Sequence, residues 1–600
     1  MKLPGKLYAL APGVVLAVVG AIAALVNTTP DDFLQPGTQP GTLNVPILAV
    51  NNCSFCHGMY DPNQEPFSRW QHSMMAQAAR DPVFWACLTI ANQDAANSGE
   101  LCLRCHTPGG WLDGRSTPTD GSALTGSDFE GVSCNFCHRL VDPVYDPNHN
   151  PVEDQAILSL SVVNQNPHSG QYVVDPNDRR RGPFDLGPSF FYHEWRQSPF
   201  HQESLLCGNC HDVSNPAYTR DPNTGIYVLN DLNQPHPTHN KYDEFPLERT
   251  YSEWSMSSFA QGPVEMGGRF GGNKTAVSSC QDCHMPDTTG TACVPELGGA
   301  VRNDLPLHNF NGSNSWVLRA VNDLFPTEAG LRADFIENAI DRNIEMLQNA
   351  SDMELNQAWA DIDVRIINQC GHKLPTGYPE GRRMWLNLRF YDDTNNLVRE
   401  YGAYDPNTAV LTQDTKIYQA VLGIDSTIAA ATGLPVGESF HFVLNNVVLL
   451  DNRIPPRGFT NANFAAVQSA PVAYLYADGQ HWDDTTITIP VGATRVEARL
   501  FHQTTSKEYI EFLRDTNMTD TRGTTAYNQW ETHGKSAPVE MDMMSLDLDN
   551  PGDLDGDGHV TLSDLAGLLA NFGGGPGGDV NGDGFTDLSD LALLLAWFGT

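Results

Sequence analysis

The sequence predicts a multidomain α+β protein in which three kinds of structure follow one another. Residues 45–320 are rich in Gly, Pro, Asn and Asp and show only short helical patterns, so we expect a loop-rich region there. Apolar and polar residues alternate over much of residues 353–545, which indicates antiparallel strands. Two copies of one loop–helix pattern predict a small helical unit over residues 550–600.

The chain begins with a basic stretch and a long apolar run. Met1-Lys2-Leu3-Pro4-Gly5-Lys6 precedes apolar residues from Leu7 to Val26, the pattern of an export signal over residues 1–26. Ala21-Ile22-Ala23 offers a cleavage site, and we expect cleavage, although the run is also long enough for a membrane anchor. Residues 27–44, rich in Pro and Thr, are predicted to form a linker.

Five copies of Cys-x-x-Cys-His lie between residues 53 and 284. Two thiols three positions apart can each add to one haem vinyl group, and the next histidine can bind the iron from the proximal side. Disulfides or zinc knuckles would not need a histidine after every second cysteine. We therefore predict a pentahaem domain over residues 45–320 with five covalent haems c. The attachment residues are Cys53, Cys56, Cys102, Cys105, Cys134, Cys137, Cys207, Cys210, Cys280 and Cys283, and the proximal ligands are His57, His106, His138, His211 and His284.

Three of the 13 cysteines, Cys87, Cys293 and Cys370, lie outside these motifs. One disulfide among the three and three buried thiols both agree with the sequence.

The charge and the haem motifs restrict the partners and the location. The formal net charge is −37, and haem propionates would add to it, so nucleic acid and anionic membranes are poor partners, and we expect no nucleic acid. A redox protein that donates or accepts electrons is expected instead, with membrane contact only through an uncleaved N-terminal segment. Haem c is attached outside the cytoplasmic membrane in bacteria, which predicts an exported protein that is periplasmic, at the cell surface or extracellular. The acidity also fits a simpler role in keeping an exported protein soluble.

The sixth ligand of each iron decides between electron transfer and substrate binding. Nine histidines between residues 72 and 372 lie outside the motifs, enough to supply a distal ligand to all five haems. Sequence context ranks His372, His308 and His201 first and His168 and His72 next, with His149 and His193 after them. For each of these the alternative is an ordinary surface or core histidine.

Helices and strands are predicted from apolar periodicity. Short helices are expected near Phe67–Arg80 and Pro82–Asn97, and a connecting helix is expected within residues 321–352. Its apolar face comprises Phe335, Ile336, Ala339, Ile340, Ile344 and Leu347. An antiparallel β-sandwich-like domain is predicted over residues 353–545, with strands at Ile362–Ile366, Trp385–Phe390, Phe440–Leu444 and Val496–Phe501.

Two acidic loops near the C-terminus have the spacing of calcium sites. Oxygen ligands at loop positions 1, 3, 5, 9 and 12, with Gly at position 6, match an EF-hand loop, and position 7 adds a backbone carbonyl. The sequence therefore predicts two Ca²⁺ ions. The first loop supplies Asp553, Asp555, Asp557, His559, Thr561 and Asp564, and the second supplies Asp579, Asn581, Asp583, Phe585, Asp587 and Asp590.

Residues 552–600 resemble a type I dockerin, because two such loop–helix units follow each other and position 12 is Asp rather than Glu. The resemblance implies a helical, EF-hand-like dockerin that binds a cohesin-like domain through loop positions 10 and 11. These positions are Leu562, Ser563, Leu588 and Ser589. They lack the Ser-Thr pair of cellulosomal dockerins, which argues against a cellulosomal partner.

Residues 50–545 resemble the multihaem c-type cytochromes related to the tetrahaem partner of hydroxylamine oxidoreductase. The resemblance lies in Trp70-Gln-His-Ser-Met-Met, Arg80-Asp-Pro, the five haem motifs, Cys283-His-Met-Pro and Gly371-His-Lys-Leu-Pro-Thr-Gly. It implies that His372 is a distal haem ligand. Five motifs stand here rather than four or eight, and no Cys-x-x-Cys-Lys motif is present.

Three functions follow as hypotheses. The first is an exported pentahaem electron carrier, not an enzyme, that a calcium-dependent dockerin attaches to a partner or surface. The second is a haem oxidoreductase that acts on a small nitrogen or sulfur compound at an iron with an open sixth position, where Tyr192 and Tyr242 are candidate proton donors. The third is a polysaccharide-associated scaffold component, which only the dockerin resemblance suggests.

Overall fold

The computed structural model describes residues 24–187 and 192–599. The predicted export signal over residues 1–26 therefore lies outside the described residues except for its last three positions. The described chain is a mixture of helices and open sheets, which confirms the α+β class. Within the described ranges, no helix combines the length and apolar character that a membrane span needs.

The N-terminal region consists of short elements connected by long loops. Strands β3 and β4 pair in parallel, whereas its other strand pairs are antiparallel. Its helices are α1 (Asn51–His57), α2 (Pro66–Gln71), α3 (Pro82–Asp94), α4 (Gly99–His106), α5 (Pro108–Leu112), α6 (Cys134–Cys137), α7 (Val152–Leu158), α8 (Ser204–Gly208), α9 (Thr250–Ser255) and α10 (Cys280–His284). Its strands are β1 (Leu140–Val141), β2 (Val173–Val174), β3 (Arg179–Gly182), β4 (Glu194–Gln197), β5 (Val213–Asn215), β6 (Tyr218–Arg220), β7 (Tyr227–Leu229), β8 (Phe245–Glu248), β9 (Val264–Glu265), β10 (Ala276–Val277), β11 (Asp287–Gly290) and β12 (Arg302–Pro306).

Residues 27–44, for which we expected a linker, pack against this region. Val26 forms a parallel bridge with Ala95, and Phe33 is 2 % exposed. The backbone carbonyl of Gln35 accepts a hydrogen bond of 3.0 Å from the buried Arg104 guanidinium. A few apolar side chains and backbone carbonyls hold this segment in place. They produce no periodic pattern in the sequence, so the composition alone predicts a linker.

Two helices connect the N-terminal region to the β domain. They are α11 (Val317–Leu324) and α12 (Ala333–Gln348). Helix α12 confirms the predicted helix, and Ile336, Ala339, Ile340 and Leu347 on the predicted apolar face are buried. This face packs on Leu318 of α11, so the pair forms a small core of its own.

The β domain is built on two antiparallel sheets that pack face to face. One sheet has the order β16-β15-β24-β25, with β19 also paired to β15, and the other has the order β13-β14-β23. Leu355, Val364, Leu388 and Val496 contribute to the core that the sheets share, as in a β-sandwich. The strands are β13 (Ser351–Ala358), β14 (Asp361–Asn368), β15 (Arg383–Tyr391), β16 (Leu397–Tyr401), β17 (Tyr404–Asp405), β18 (Val410–Leu411), β19 (Lys416–Tyr418), β20 (Ala420–Ile424), β21 (Gly437–Glu438), β22 (Val447–Asp451), β23 (Trp482–Thr488), β24 (Arg495–Gln503) and β25 (Val539–Asp547).

The strand predicted at Phe440–Leu444 is wrong, whereas β14, β15 and β24 confirm the other three. Phe442, Val443 and Leu444 lie in a turn, and all three are buried. The apolar residues there fill a core shared with Phe33 and Phe245 of the N-terminal region. The prediction failed because a turn that is buried between two parts of the chain can be as apolar as a strand.

Four further helices join the β domain to the N-terminal region. They are α13 (Ser426–Thr432), α14 (Asn461–Ala466), α15 (Lys507–Asp515) and α16 (Arg522–Thr532). Tyr509, Ile510 and Leu513 of α15 pack with Ala86 and Ile90 of α3 in one buried cluster. The β domain is therefore fixed to the N-terminal region through a shared core.

The C-terminal unit contains two loops and the helices α17 (Leu562–Asn571) and α18 (Leu588–Trp597). Val560, Leu568, Val580 and Leu594 are fully buried in the same core cluster as the two sheets. Trp359, between β13 and β14, lies so close to Gly582 that a Cβ atom there would overlap its indole ring. The unit therefore packs on the β domain and is not a separate body on a linker.

Candidate functional site

All five Cys-x-x-Cys-His motifs lie on or at the end of short helices. Helices α1, α4, α6, α8 and α10 carry motifs one to five in that order. In a helix, positions three apart share one face, so the first, second, third and fifth motifs present both thiols on the same side. Helix α8 ends at Gly208, before Cys210 of the fourth motif. Ser133 caps α6 and Ser279 caps α10, and their hydroxyls accept hydrogen bonds from the backbone N–H of Phe136 and Asp282.

Four motif histidines direct Nδ1 at a backbone carbonyl oxygen and leave Nε2 without a partner among the described residues. This arrangement orients the imidazole ring and leaves Nε2 free to bind a metal. The Nδ1–O distances are 2.7 Å for His57 with Ala292, 3.4 Å for His106 with Ala78, 2.6 Å for His138 with Arg181 and 2.5 Å for His284 with Asn311. Burial lowers the pKa of all four, which favours the neutral form that ligates iron.

The fifth motif histidine, His211, differs from these four. Its Nδ1 faces a carboxylate oxygen of Glu248 at 3.5 Å rather than a carbonyl. Burial acts to lower the pKa of His211, but the Glu248 carboxylate outweighs this effect, and the pKa lies above its ordinary value. Sequence reasoning did not identify Glu248, because nothing near it in the chain indicates a contact with His211.

Three motif histidines each face a second histidine. The ring centroids are 6.4 Å apart for His57 and His193, 6.2 Å for His138 and His308, and 6.3 Å for His284 and His372. An imidazole nitrogen binds a metal at about 2 Å and its ring centre lies about 1 Å beyond, so two rings on one metal have centroids roughly 6 Å apart. Each of the three gaps therefore fits one iron atom between two histidines.

The second histidine of each pair is also oriented for this role. Nδ1 of His193, His308 and His372 contacts the carbonyl oxygens of Glu194, Pro306 and Lys373 at 3.2, 3.1 and 3.0 Å. Nε2 in all three has no hydrogen-bond partner within the described residues. His308 and His372 are among the three histidines that sequence context ranks first, whereas His193 ranks after all five leading candidates.

The other three candidate distal histidines have partners elsewhere. His201 stacks on His138 at 5.5 Å, and its Nε2 contacts the carbonyl oxygen of Cys137 at 3.1 Å. His168 Nε2 contacts Glu244 at 2.9 Å in a fully buried pair. His72 Nε2 accepts a hydrogen bond of 3.1 Å from the backbone N–H of Arg332.

His106 and His211 have no facing histidine. All 19 histidines of the chain lie within the described ranges, and none of their rings is paired with either residue. Phe84 of α3 instead stacks on the His106 ring, with centroids 3.9 Å apart and planes at 5°. The second and fourth motifs thus differ from the other three on the distal side.

The attachment thiols of different motifs are adjacent in space. Cys53 is in hydrogen-bond contact with Cys134, Cys105 with Cys210, and Cys207 with Cys280. Cys137 also acts electrostatically on Cys207, which places the third motif beside the fourth. These four neighbour relations connect all five motifs into one continuous cluster.

Three partly buried arginines in this region each leave one nitrogen donor without an acceptor among the described residues. The Nε atoms of Arg69, Arg342 and Arg382 are buried and have no hydrogen-bond partner in the described chain. Burial and the repulsion of Arg69 lower the pKa of Arg342 to about 10. A buried guanidinium normally pairs with an anion, and the propionate groups of haem would supply such anions. Haem c fits this arrangement of paired thiols, histidines with free Nε2 atoms and arginines with unpaired Nε atoms.

The three cysteines outside the motifs are free thiols. Cys370 is buried and Cys87 partly so, and burial raises the pKa of each to about 12. Cys293 is partly exposed. The structure therefore agrees with three separate thiols rather than with a disulfide.

Each of the two acidic loops near the C-terminus is wrapped around its first aspartate. Asp553 accepts hydrogen bonds from the N–H groups of Gly556, Asp557 and Gly558, which wraps the loop around its carboxylate. Carboxylate oxygens of Asp553, Asp555 and Asp557 lie within 4.8 Å of one another. The second loop repeats the wrapping around Asp579, with Gly582, Asp583 and Gly584 as donors.

The last acidic residue of each loop is buried in contact with its own backbone. Asp564 accepts from the N–H groups of Leu554, Asp555 and Thr561, and Asp590 does the same at the equivalent positions of the second loop. The four residues predicted to bind a partner, Leu562, Ser563, Leu588 and Ser589, are all exposed, with Leu562 at 73 % and Leu588 at 72 %.

Comparisons with known proteins give one similar structure. No protein-family model matches the chain, and no curated protein does either. The chain is similar to a penta-heme cytochrome c552 from Thermochromatium tepidum, with 16 % identity over 84 % of this chain and 100 % of that chain, at a TM-score of 0.43. None of these comparisons supports the resemblance to tetrahaem cytochromes or the resemblance to type I dockerins.

Proposed function

We propose that the chain is an exported multihaem c-type cytochrome that transfers electrons through five covalently bound haems. The observation that carries this proposal is the geometry of the motif histidines. Five of them present a free Nε2 beside two thiols, and three face a second histidine across a gap of 6.2–6.4 Å. Bound haem c would supply one-electron chemistry at each motif, with potentials set by the axial ligands and their surroundings.

The chain's own residues would hold these groups close together. Adjacent thiol pairs connect the motifs, so no haem would be isolated from the others. The facing histidines His193, His308 and His372 would complete three irons and leave them without a position for substrate. The unpaired arginines would balance the propionates inside an otherwise acidic protein. These features support electron transfer between a redox donor and an acceptor as the main activity.

We further propose that the C-terminal unit binds two Ca²⁺ ions and attaches the protein to a cohesin-like partner. The wrapped loops around Asp553 and Asp579 support calcium binding, because hard oxygen ligands converge on each loop. Exposed Leu562 and Leu588, one on each repeat, support partner binding at equivalent positions of the two halves. We propose a location outside the cytoplasmic membrane, where haem c is attached.

The decisive test is to count covalent haems in protein expressed with a haem c maturation system. A pyridine haemochrome assay and mass spectrometry of the intact chain should give five haems per chain. A double variant such as Cys280→Ala with Cys283→Ala should lose one haem, whereas Cys370→Ala should keep all five. A chain that matures without covalent haem would overturn the proposal.

A further inference from the structure

We propose that the cleft lined by Phe440, His441 and Phe512 binds a hydroquinone, a small planar aromatic ring with two hydroxyl groups, and takes electrons from it for the haems. The inference rests on the proposed function and names the chemical class of the electron donor. None of the residues that line this cleft belongs to a haem motif.

The cleft has the size and lining of a site for a small molecule. Its volume is about 390 Å³, and it lies between the segment that follows α13 and helix α15. Ile424 and Leu434 extend the apolar wall, a lining typical of ligand pockets that hold only a few polar groups. The exposed carboxylate of Glu438 also lines the cleft and would repel an anion, which favours an uncharged carrier.

The two phenylalanine rings offer aromatic surface to a planar ligand. The centroids of Phe440 and Phe512 are 5.5 Å apart, and the His441 ring meets Phe512 edge-on at 5.0 Å and 85°. Both phenylalanines are half-buried and line the cleft, so part of each ring remains open to a ligand. A further aromatic ring gains stacking or edge contacts here that an aliphatic molecule lacks.

His441 is oriented to accept a proton from a ligand in the cleft. Its Nδ1 contacts Oδ1 of Asp94, the last residue of α3, at 2.8 Å, and its Nε2 has no partner among the described residues. Asp94 is 2 % exposed, and its Oδ2 has no hydrogen-bond partner in the described chain. A proton on Nε2 would therefore create the cation that this buried carboxylate lacks.

A series of side chains leads from the cleft toward the second motif. The Phe440 and Tyr509 ring centroids are 5.2 Å apart, and the Tyr509 hydroxyl lies 2.9 Å from the Cys87 thiol. Cys87 lies on α3, about two turns before Asp94, and the attachment thiol of Cys102 acts electrostatically on it. Helix α3 thus carries both the carboxylate that supports proton transfer and a thiol beside the second motif, which makes that motif the entry point for electrons.

The proposed step balances in protons and electrons. One hydroxyl O–H bond of the hydroquinone breaks, and Nε2 of His441 takes the proton as general base. The second proton passes to water at the open side of the cleft. The hydroquinone is oxidised to the quinone by the loss of two electrons, which reduce two haems by one electron each.

Binding is tested with menadione, the oxidised form of a naphthohydroquinone, and the fully haem-loaded chain. Isothermal titration calorimetry should show a single site. Phe512→Leu should weaken binding about threefold to tenfold, because leucine keeps the apolar wall and loses the aromatic contact. Phe572→Leu, at an exposed ring of the C-terminal unit, is the matched control and should leave the affinity unchanged. Equal affinities in the two variants would overturn the inference.

Electron entry is tested with menadiol, and reduced methyl viologen serves as a donor that releases no proton. His441→Gln keeps an N–H donor for Asp94 but cannot accept a proton. Reduction of the haems by menadiol should therefore slow about a hundredfold, while reduction by methyl viologen stays unchanged. Asp94→Asn should show the same split if Asp94 is a positioning residue that acts through His441. His149→Gln, in an exposed loop, should change neither rate.

The outcomes separate this inference from the proposed function. Equal slowing with both donors, or menadiol oxidation that ignores His441→Gln, would overturn the hydroquinone site while the proposed electron carrier stands. A chain with fewer than five covalent haems would instead contradict the proposed function, and the menadione titration would still decide whether the cleft binds its ligand.

Discussion

The thiol of Cys87 on α3 lies 2.9 Å from the hydroxyl of Tyr509 on α15. The Tyr509 hydroxyl is also 3.0 Å from the Tyr378 hydroxyl. Cys87, Tyr509 and Tyr378 therefore form a continuous series of polar contacts. These contacts join α3 of the N-terminal region to α15, which lies between β24 and β25 of the β domain. They lie in an apolar cluster, where a polar group without a partner is costly.

Tyr509→Phe should destabilise the protein by about 1–3 kcal/mol, because Cys87 and Tyr378 each lose a buried hydrogen-bond partner. Urea denaturation followed by circular dichroism measures the change. Tyr527→Phe is the matched control, since its hydroxyl bonds the exposed Glu531 at 3.0 Å, and it should change stability little. Equal effects of the two variants would show that the Cys87–Tyr509 contact does not hold the regions together.

Native Cys87 and Cys370 should resist alkylation at pH 8. Burial raises the pKa of each thiol to about 12, so little reactive thiolate is present. Mass spectrometry after iodoacetamide treatment should find both residues modified only in denatured protein. A disulfide in the denatured, unreduced chain would contradict the free thiols of the structure.

Glu380 should make stability depend on pH. Burial and the nearby Glu438 raise its pKa from 4.5 to about 8. The folded state then holds this proton more tightly than the unfolded state. Its contribution to stability is therefore complete below about pH 4.5, is lost as pH rises to about 8, and amounts to a few kcal/mol.

Glu380→Gln removes this titration and keeps an acceptor oxygen for the Asn445 amide, which lies 3.3 Å from Glu380 Oε1. The variant should be more stable than the parent at pH 8.5 and similar to it at pH 4.5. Glu354→Gln, on the exposed face of β13, should leave the profile unchanged. A parent profile that stays flat between these pH values would contradict a raised pKa at Glu380.

Replacing one of the facing histidines should remove the sixth ligand of one haem iron. His193→Gln, His308→Gln and His372→Gln should each convert one low-spin haem to high spin, because the distal nitrogen is lost. Electron paramagnetic resonance counts the change, and His149→Gln at an exposed loop should have no effect. Unchanged spectra in all three variants would show that other residues complete these irons.

Calcium should bind the C-terminal unit at two sites. Isothermal titration calorimetry should count two ions, and Asp553→Asn or Asp579→Asn should each remove one, because each aspartate is the centre of its loop. Asp393→Asn in an exposed turn is the control. Retention of both ions in both variants would place the sites elsewhere.

The features that could be predicted from the sequence are those determined by the spacing of residues close together in the chain. The thiol and histidine positions of the five motifs, the apolar face of α12 and the loops around Asp553 and Asp579 all follow from short repeats. The histidine pairs do not, because His57 and His193 meet only through the fold of the intervening loops. Glu248 and the turn at Phe442 were missed for the same reason, since tertiary contacts give each its role.

The packing of the C-terminal unit has a consequence for assembly. Val560 and Leu594 share a core with the β-sheets, and α15 of the β domain shares a core with α3. On the proposed partner, each molecule would therefore hold its haem-motif region in one fixed orientation relative to the copy that it binds. The spacing of the partner's copies, rather than diffusion, would then determine how near neighbouring redox regions stand to each other.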